Sequence, residues 1–386
     1  MDRIEESVLL ATIPAIAPSV GRAILDRFPE PGSLLSVHPR QLKALGVSTE
    51  AASAIIDARA RGHHRREIDE AANRGLVILT PSCREFPRLL HEIQECPIAI
   101  WVRGDTEAFS LPAIAIVGAR RCTTYGSEVA TGMAAELAEQ GVAVVSGLAR
   151  GIDAAAHTGA VEASGRTIAV LGSGLARIYP TENARLADRI VESGAVLSEF
   201  PLRTPPLKFH FPRRNRLISG LSFGIVVVEA ARRSGSLSTA RWAADQGRDV
   251  FAVPGPVTEE TSRGTHHLLR DGATIAEHAL DVIENIRPFG ETLPEASRRI
   301  RTRGRDSGTG EPPASADEQE TTSRYHEDSP GGRVLGILTR RGVHFDEIVE
   351  RAELGVAATA AVLTELEILG KVRQRGGKWF YRKPTS

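Results

Sequence analysis

Ile114-Ala115-Ile116-Val117-Gly118-Ala119-Arg120-Arg121-Cys122-Thr123-Thr124-Tyr125-Gly126 is the stretch that decides the fold. Four consecutive apolar residues, three of them β-branched, end at a glycine. A strand that is apolar at every position, not at every second one, is covered on both faces. The segment after it, Tyr125–Glu139, places Val129, Met133 and Leu137 on one helical face. A buried strand feeding an amphipathic helix is half of a parallel β-α-β unit.

Working outward, the pattern repeats. Short apolar runs occur at Leu76–Leu79, Ile98–Val102, Val142–Val145, Thr167–Leu171, Ala195–Leu197, Ile225–Val228 and Val250–Val253. Helical segments at Ile152–Ala163, Thr181–Glu192 and Leu237–Asp245 sit between them. The expectation is an α/β domain over 71–286 with a doubly wound parallel sheet. Residues 1–70 read as a small helical domain, with Ile24, Leu25 and Phe28, then Ala52, Ile55 and Ile56, at helical spacing. An entry helix is expected at Arg22–Phe28. Residues 287–330 are polar and proline- and glycine-marked, with too few apolar residues to form a core, and read as a disordered linker. In 331–386, helices are expected at Arg333–Arg341, His344–Ala352 and Ala357–Leu369. A hairpin joins Gly370–Gln374 to Trp379–Arg382 through Arg375-Gly376-Gly377. Three helices and a hairpin make the winged-helix pattern.

Composition removes several function classes. The 386 residues carry 48 Lys plus Arg and 48 Asp plus Glu, and 41% are apolar, which excludes a wholly disordered chain. Three cysteines, Cys83, Cys96 and Cys122, are too few for a disulfide framework and favour a reducing, cytoplasmic setting. No apolar run approaches the roughly 18 residues of a membrane span. Asp2, Glu5 and Glu6 near the start argue against a secretory signal. Zero net charge leaves room for a local basic patch. The basic residues are nearly all Arg, suited to fork-type contacts with phosphate.

A doubly wound sheet binds ligands beyond the carboxyl ends of its strands, so the loops there are the candidates. Gly118 with Arg120 and Arg121 enters a helix whose first N–H groups are free for an anion, unless the segment is a plain turn. No Lys-Ser/Thr follows, so it is not a Walker loop. Ser146-Gly147-Leu148-Ala149-Arg150-Gly151-Ile152-Asp153 with His157 offers a Ser/Asp/His trio. The plainer expectation is that Asp153 starts a helix and pairs with His157 one turn on, leaving Arg150 as the functional group. Gly172-Ser173-Gly174 lacks the third glycine of a dinucleotide fingerprint, since Arg177 stands there. Phe209-His210-Phe211-Pro212-Arg213-Arg214-Asn215-Arg216 mixes rings and cations, as single-stranded nucleic acid requires, unless the rings pack inward. Glu229 followed by Ser234-Gly235-Ser236 is another anion-friendly helix start. The adjacent pairs His63-His64 and His266-His267 point apart, and neither C-x-x-C nor H-E-x-x-H occurs, so no metal is expected.

These segments form one ordered series. It begins at Ala115-Ile116-Val117-Gly118-Ala119-Arg120, Tyr125-Gly126 and Ser146 to Asp153 with Ala156-His157. It runs through Ala169 to Gly174, Tyr179-Pro180, Ser198-Glu199, Phe211-Pro212, Arg214-Asn215-Arg216 and Ser219 to Ser222. It ends at Val228-Glu229-Ala230, Ser234 to Leu237 and Val253-Pro254-Gly255. The series resembles the DNA-processing protein A (DprA/Smf) family over the whole α/β domain. The resemblance implies an extended Rossmann-like domain, flanked by a SAM-like or helix-hairpin-helix segment and a winged helix. It implies a homodimer through the Rossmann-like domain that binds and protects incoming single-stranded DNA and loads RecA during natural transformation. It also implies no catalytic turnover, no catalytic residue and no cofactor. The DNA contacts expected are Gly118, Arg120, Arg121, Arg150, Lys208, Phe211, Arg213, Arg214, Asn215, Arg216, Ser234 and Gly235. His210, where many relatives have Asn, and Arg213 depart from the family pattern. The dimer is expected near Gly264–Ala273, where Leu268 and Leu269 flank the His pair.

Two other functions fit parts of the sequence. Glu229 with the Ser234-Gly235-Ser236 loop would suit a nucleotide-processing hydrolase. The C-terminal segment would suit a winged-helix regulator reading duplex DNA.

Overall fold

The computed structural model describes residues 3–35, 37–286 and, further on, 330–338, 343–352, 354–369, 371–375 and 379–382. Of the linker expected at 287–330, all but Pro330, which opens a helix, lies outside the described residues, as do Gly376 and Gly377 of the expected hairpin turn. Among the described residues, those up to 286 form one compact unit and those from 330 onward a second.

In the first unit, five helices lead: α1 (Arg3–Ala11), α2 (Pro18–Arg27), α3 (Pro39–Lys43), α4 (Thr49–Ala60) and α5 (His63–Asn73). Pro18 opens α2 where its missing N–H costs nothing, and Ser48 caps α4 by accepting from the Ala51 amide at 3.1 Å. Leu9, Leu10, Ile24, Leu42 and Ile55 make their core, and Ile98, from just ahead of the second strand, is buried among them. The helical segment and the sheet therefore share one body.

The sheet holds β1 (Val77–Leu79), β2 (Ile100–Gly104), β3 (Ala113–Val117), β4 (Ala143–Ser146), β5 (Thr167–Val170), β6 (Ala195–Ser198), β7 (Gly224–Val227), β8 (Asp249–Ala252) and β9 (Thr274–Ile275). Its order is β1-β2-β6-β5-β4-β3-β7-β8-β9. The seven strands from β6 to β9 run parallel, while β1 and β2 are antiparallel additions at the β6 edge, a departure from the all-parallel expectation. Every residue of β3, β4, β5, β6 and β7 is buried, as unbroken apolar runs require.

Helices α6 (Arg88–His91), α10 (His210–Gly220) and α11 (Ser236–Asp245) cover one face through Leu90, Leu217, Ile218 and Leu237. Helices α7 (Thr124–Glu139), α8 (Ile152–Glu162) and α13 (Ala279–Asn285) cover the other through Met133, Leu137, Ile152 and Val282. Helices α9 (Ala184–Ile190) and α12 (Arg263–Arg270) complete the set, α9 packing with Trp101 and Val196. The long helix expected at Thr181–Glu192 is instead a 3-10 turn at Thr181–Asn183 followed by α9.

The second unit has helices at Pro330–Ile337, Phe345–Ala352 and Val356–Ile368. Its strands are β10 (Val343–His344), β11 (Val372–Arg375) and β12 (Trp379–Arg382), in the order β10-β12-β11. Val334, Ile348, Leu363, Leu366 and Val372 form a separate core. This is a winged-helix arrangement. No helix among the described residues is long and apolar enough to cross a membrane.

Candidate nucleic-acid interface

Strand order reverses between β3 and β7, so the loops after them diverge to helices on opposite faces. Such a switch point leaves a crevice, and sequence reasoning expects its helix start to be open to an anion. The protein's own carboxylate is there instead. Glu229 is buried, and accepts from the Thr123 amide at 2.9 Å and from the Thr123 hydroxyl at 2.5 Å. Thr123 Oγ1 in turn accepts from the Gly126 amide at 3.1 Å. A Cβ at position 126 would stand 2.7 Å from Glu229 Oε2, which is why glycine is needed. As a hydrolytic base Glu229 is unsuited, being engaged and out of reach.

The loop that leads from β4 to the second helix start is likewise held from within, by a carboxylate of α8 itself. Asp153 Oδ2 accepts from the amides of Gly147 (3.1 Å) and Ala149 (3.4 Å), and burial pushes its carboxyl pKa up. The Ser/Asp/His trio does not assemble, and neither does the expected Asp153–His157 pair. Ser146 Oγ donates to the Ile116 carbonyl at 2.6 Å, and His157 Nδ1 lies 2.7 Å from Thr167 Oγ1. Burial holds the His157 ring neutral, with its pKa lowered to about 3.

The arginines of α10 divide sharply. Arg214, Asn215 and Arg216 are expected on the DNA surface, yet all three are buried. Arg214 Nη1 donates to the carbonyls of Gly147 (2.7 Å) and Val170, and its Nε donates to Asn215 Oδ1 at 3.2 Å. Burial lowers its pKa to about 10. A Cβ at Gly147 would lie 2.5 Å from that guanidinium. Arg216 Nη2 pairs with Glu199 Oε2 at 2.5 Å, both side chains being buried. Asn215 Nδ2 donates to the Gly235 carbonyl at 3.2 Å. These three residues tie α10 to the loops after β4, β6 and β7 and to the end of β5. Their polarity signals buried loop anchoring, which the sequence does not distinguish from surface charge.

What remains exposed is a guanidinium–aromatic edge. The Arg120 guanidinium lies over the Phe211 ring, 5.0 Å from its centre. The Tyr179 ring is 5.9 Å from Phe211, at 44°. Gly172 leaves room for Phe211, since a Cβ there would come within 2.8 Å of the ring. Arg121 and Lys208 are exposed, and Phe209 is 68% exposed. Arg213, half-exposed, lies over Phe200 at 5.3 Å and 3.4 Å from Glu199 Oε1. Arg150 is exposed but ion-paired with Glu182, its Nη2 3.1 Å from Oε2. Gly118 brings the first loop against α8, where a Cβ would meet Ile152 at 2.6 Å. Ser234 Oγ lies 2.7 Å from Ser236 Oγ, and Gly235 is open to solvent. Tyr179 and Phe209 are exposed rings absent from the expected contacts, although Phe209 belongs to the ring-and-cation stretch that the sequence singles out.

Fold and edge together define a Rossmann-like α/β protein carrying a winged-helix unit. The family described as DNA recombination-mediator protein A matches residues 77–287, and the DprA winged helix domain matches residues 311–378. The chain belongs to the DNA recombination-mediator protein A (DprA) family. It is 40% identical to Protein Smf of Escherichia coli over 294 residues, 76% of this chain and 74% of that one. It is 44% identical to the DNA processing protein DprA of Streptococcus pneumoniae over 198 residues, 51% of this chain and 70% of that one. The solved structure of S. pneumoniae DprA superposes with a TM-score of 0.65 at 31% identity, covering 74% of this chain and 99% of that one. A Helicobacter pylori DNA processing protein A structure, described for its single-stranded DNA binding mode, has a TM-score of 0.50 at 32% identity, covering 54% of this chain and 94% of that one.

Proposed function

We propose that this protein binds single-stranded DNA along the Arg120–Phe211–Tyr179 edge, holds it without cutting it, and loads RecA onto it during natural transformation. The observation that carries the reading is the Arg120 guanidinium stacked on Phe211 with Tyr179 beyond it. Cations meet phosphates and flat rings meet unpaired bases, which duplex DNA cannot offer. The single-stranded DNA binding described for the H. pylori relative supports the same reading. The contacts proposed are Gly118, Arg120, Arg121, Arg150, Lys208, Phe211, Arg213, Ser234 and Gly235. Arg214, Asn215 and Arg216 act by holding the loops in register. Because phosphates carry no base code, sequence preference is weak. RecA loading, a cytoplasmic setting and the absence of turnover follow from the family resemblance. So does a homodimer near Gly264–Ala273, the stretch just ahead of the edge strand β9 with its exposed Ile275.

Binding is tested by titrating oligothymidylate and a duplex of equal length. The single strand is expected to bind more tightly, with a log–log salt slope of about 0.7 per neutralised phosphate. Equal affinity for the two would contradict the reading. A RecA filament assay on protein-coated single strands tests loading, and light scattering tests the dimer.

A further inference from the structure

Beyond Tyr179 the edge continues into a cavity of about 480 Å³. Two backbone segments form its walls. The Gly174 amide donates to the Thr204 carbonyl and the Ala176 amide to the Leu202 carbonyl, both at 2.9 Å. Gly174 permits this approach, since a Cβ there would run into the backbone of Leu202. Pro205 and Pro206 add apolar lining, and the Tyr179 ring, 41% exposed, stands at the rim. Arg150 and Arg177 also line the cavity. Arg150 is held by Glu182, whereas Arg177 is exposed and has no ion pair among the described residues.

We propose that this cavity takes an unpaired nucleobase of the bound strand, distinct from the position over Phe211. The inference rests on the single-stranded DNA reading above and names a second base subsite for it. Three features favour a base over another ligand. The volume lies in the range of small-ligand pockets, about 300–1,000 Å³. The lining sets the flat apolar surfaces of Pro205 and Pro206 beside the polar side chains of Thr181, Thr204 and Arg177, which suit the edge of a base. The mouth opens beside an aromatic ring whose other neighbour, Phe211, already belongs to the proposed strand path. Tyr179 would stack on the incoming base, while Arg177 meets the adjoining phosphate.

The test compares oligothymidylate with an abasic deoxyribose-phosphate strand of equal length. Thr204→Trp places an indole in the cavity. It is expected to weaken oligothymidylate binding about tenfold and leave abasic binding unchanged. Arg120→Ala is expected to weaken both. If Thr204→Trp weakens both strands alike, or neither, the cavity holds no base. A second measurement needs no variant: photo-crosslinking a 5-iodouracil strand to the wild-type protein. Crosslinks within residues 174–182 or 202–206 support the subsite, and crosslinks confined to Phe211 overturn it. Tight filling of the cavity by free thymidine monophosphate, undiminished by bound strand, also overturns it. Failure of wild-type protein to bind intact oligothymidylate overturns the function reading itself, a result separate from these.

Discussion

The loop after β3 and helix α10 both bring arginines to the same sheet edge, and they use them in opposite ways. Arg120 and Arg121 sit in a turn with solvent beside them. Arg214 and Arg216 sit on a helix that packs Leu217 and Ile218 into the core beneath the loops. The first pair presents charge outward. The second pair satisfies carbonyls and a carboxylate that would otherwise be buried without partners. A guanidinium in a motif is thus a ligand contact or an internal brace according to the surface its backbone faces. The loops ahead of α7 and α8 repeat the lesson: Glu229 takes the Thr123 amide, and Asp153 takes the amides of Gly147 and Ala149.

The largest expected effect lies on the inner side of this contrast. Arg216→Ala leaves Glu199 buried without its main partner and should lower unfolding free energy by about 3–5 kcal/mol in urea titrations. A loss below about 1 kcal/mol would show that the pair is not a brace. Acid comes next. The folded-state pKa of His157 is about 3, below the unfolded value near 6.5, so only the unfolded state takes up the proton as pH falls. Its contribution is complete above pH 6.5 and declines below it. His64, His91 and His210 are shifted the same way, chiefly by burial. From pH 7 to pH 5 the wild type should lose about 2 kcal/mol more than His157→Asn, read from urea midpoints; the raised Asp153 carboxyl works in the opposite sense in both. An equal loss in the two would contradict the assignment.

On the outer side, Arg120→Ala should weaken oligothymidylate binding about tenfold and reduce the salt slope by about 0.7, with no change in melting temperature. A variant that melts early would move Arg120 into the inner class. The smallest expected effect belongs to the exposed Arg150–Glu182 pair. Glu182→Gln should leave the melting temperature unchanged in calorimetry, because solvent screens such a pair. A clear drop would make that pair structural too.

Much of this architecture is legible in the residues. The fully apolar runs of β3, β4 and β7 are readable as doubly covered parallel strands, and the three helices and hairpin of the C-terminal unit as a winged helix. The antiparallel edge is not, because Leu76–Leu79 and Ile98–Val102 are apolar whichever way they pair. At the site, the turns after β3, β4 and β7 are legible as loops, whereas the Phe209–Arg216 stretch lies almost wholly inside α10. The inward turn of Arg214 and Arg216 is not legible, since their partners are backbone carbonyls and Glu199, far apart in sequence. Nor is the stacking of Arg120 on Phe211, which joins the loop after β3 to the first turn of α10, 91 positions on. Tyr179 has no local signal beyond a ring in a polar turn.

The most direct measurement is paired: affinity for oligothymidylate and melting temperature, on Arg120→Ala and Arg216→Ala side by side. The expected result is a clean exchange. Arg120→Ala loses affinity and keeps its melting temperature, while Arg216→Ala loses melting temperature and, where still folded, binds with little change. Undiminished binding by Arg120→Ala in a fully folded protein would contradict the assignment of the strand to this edge.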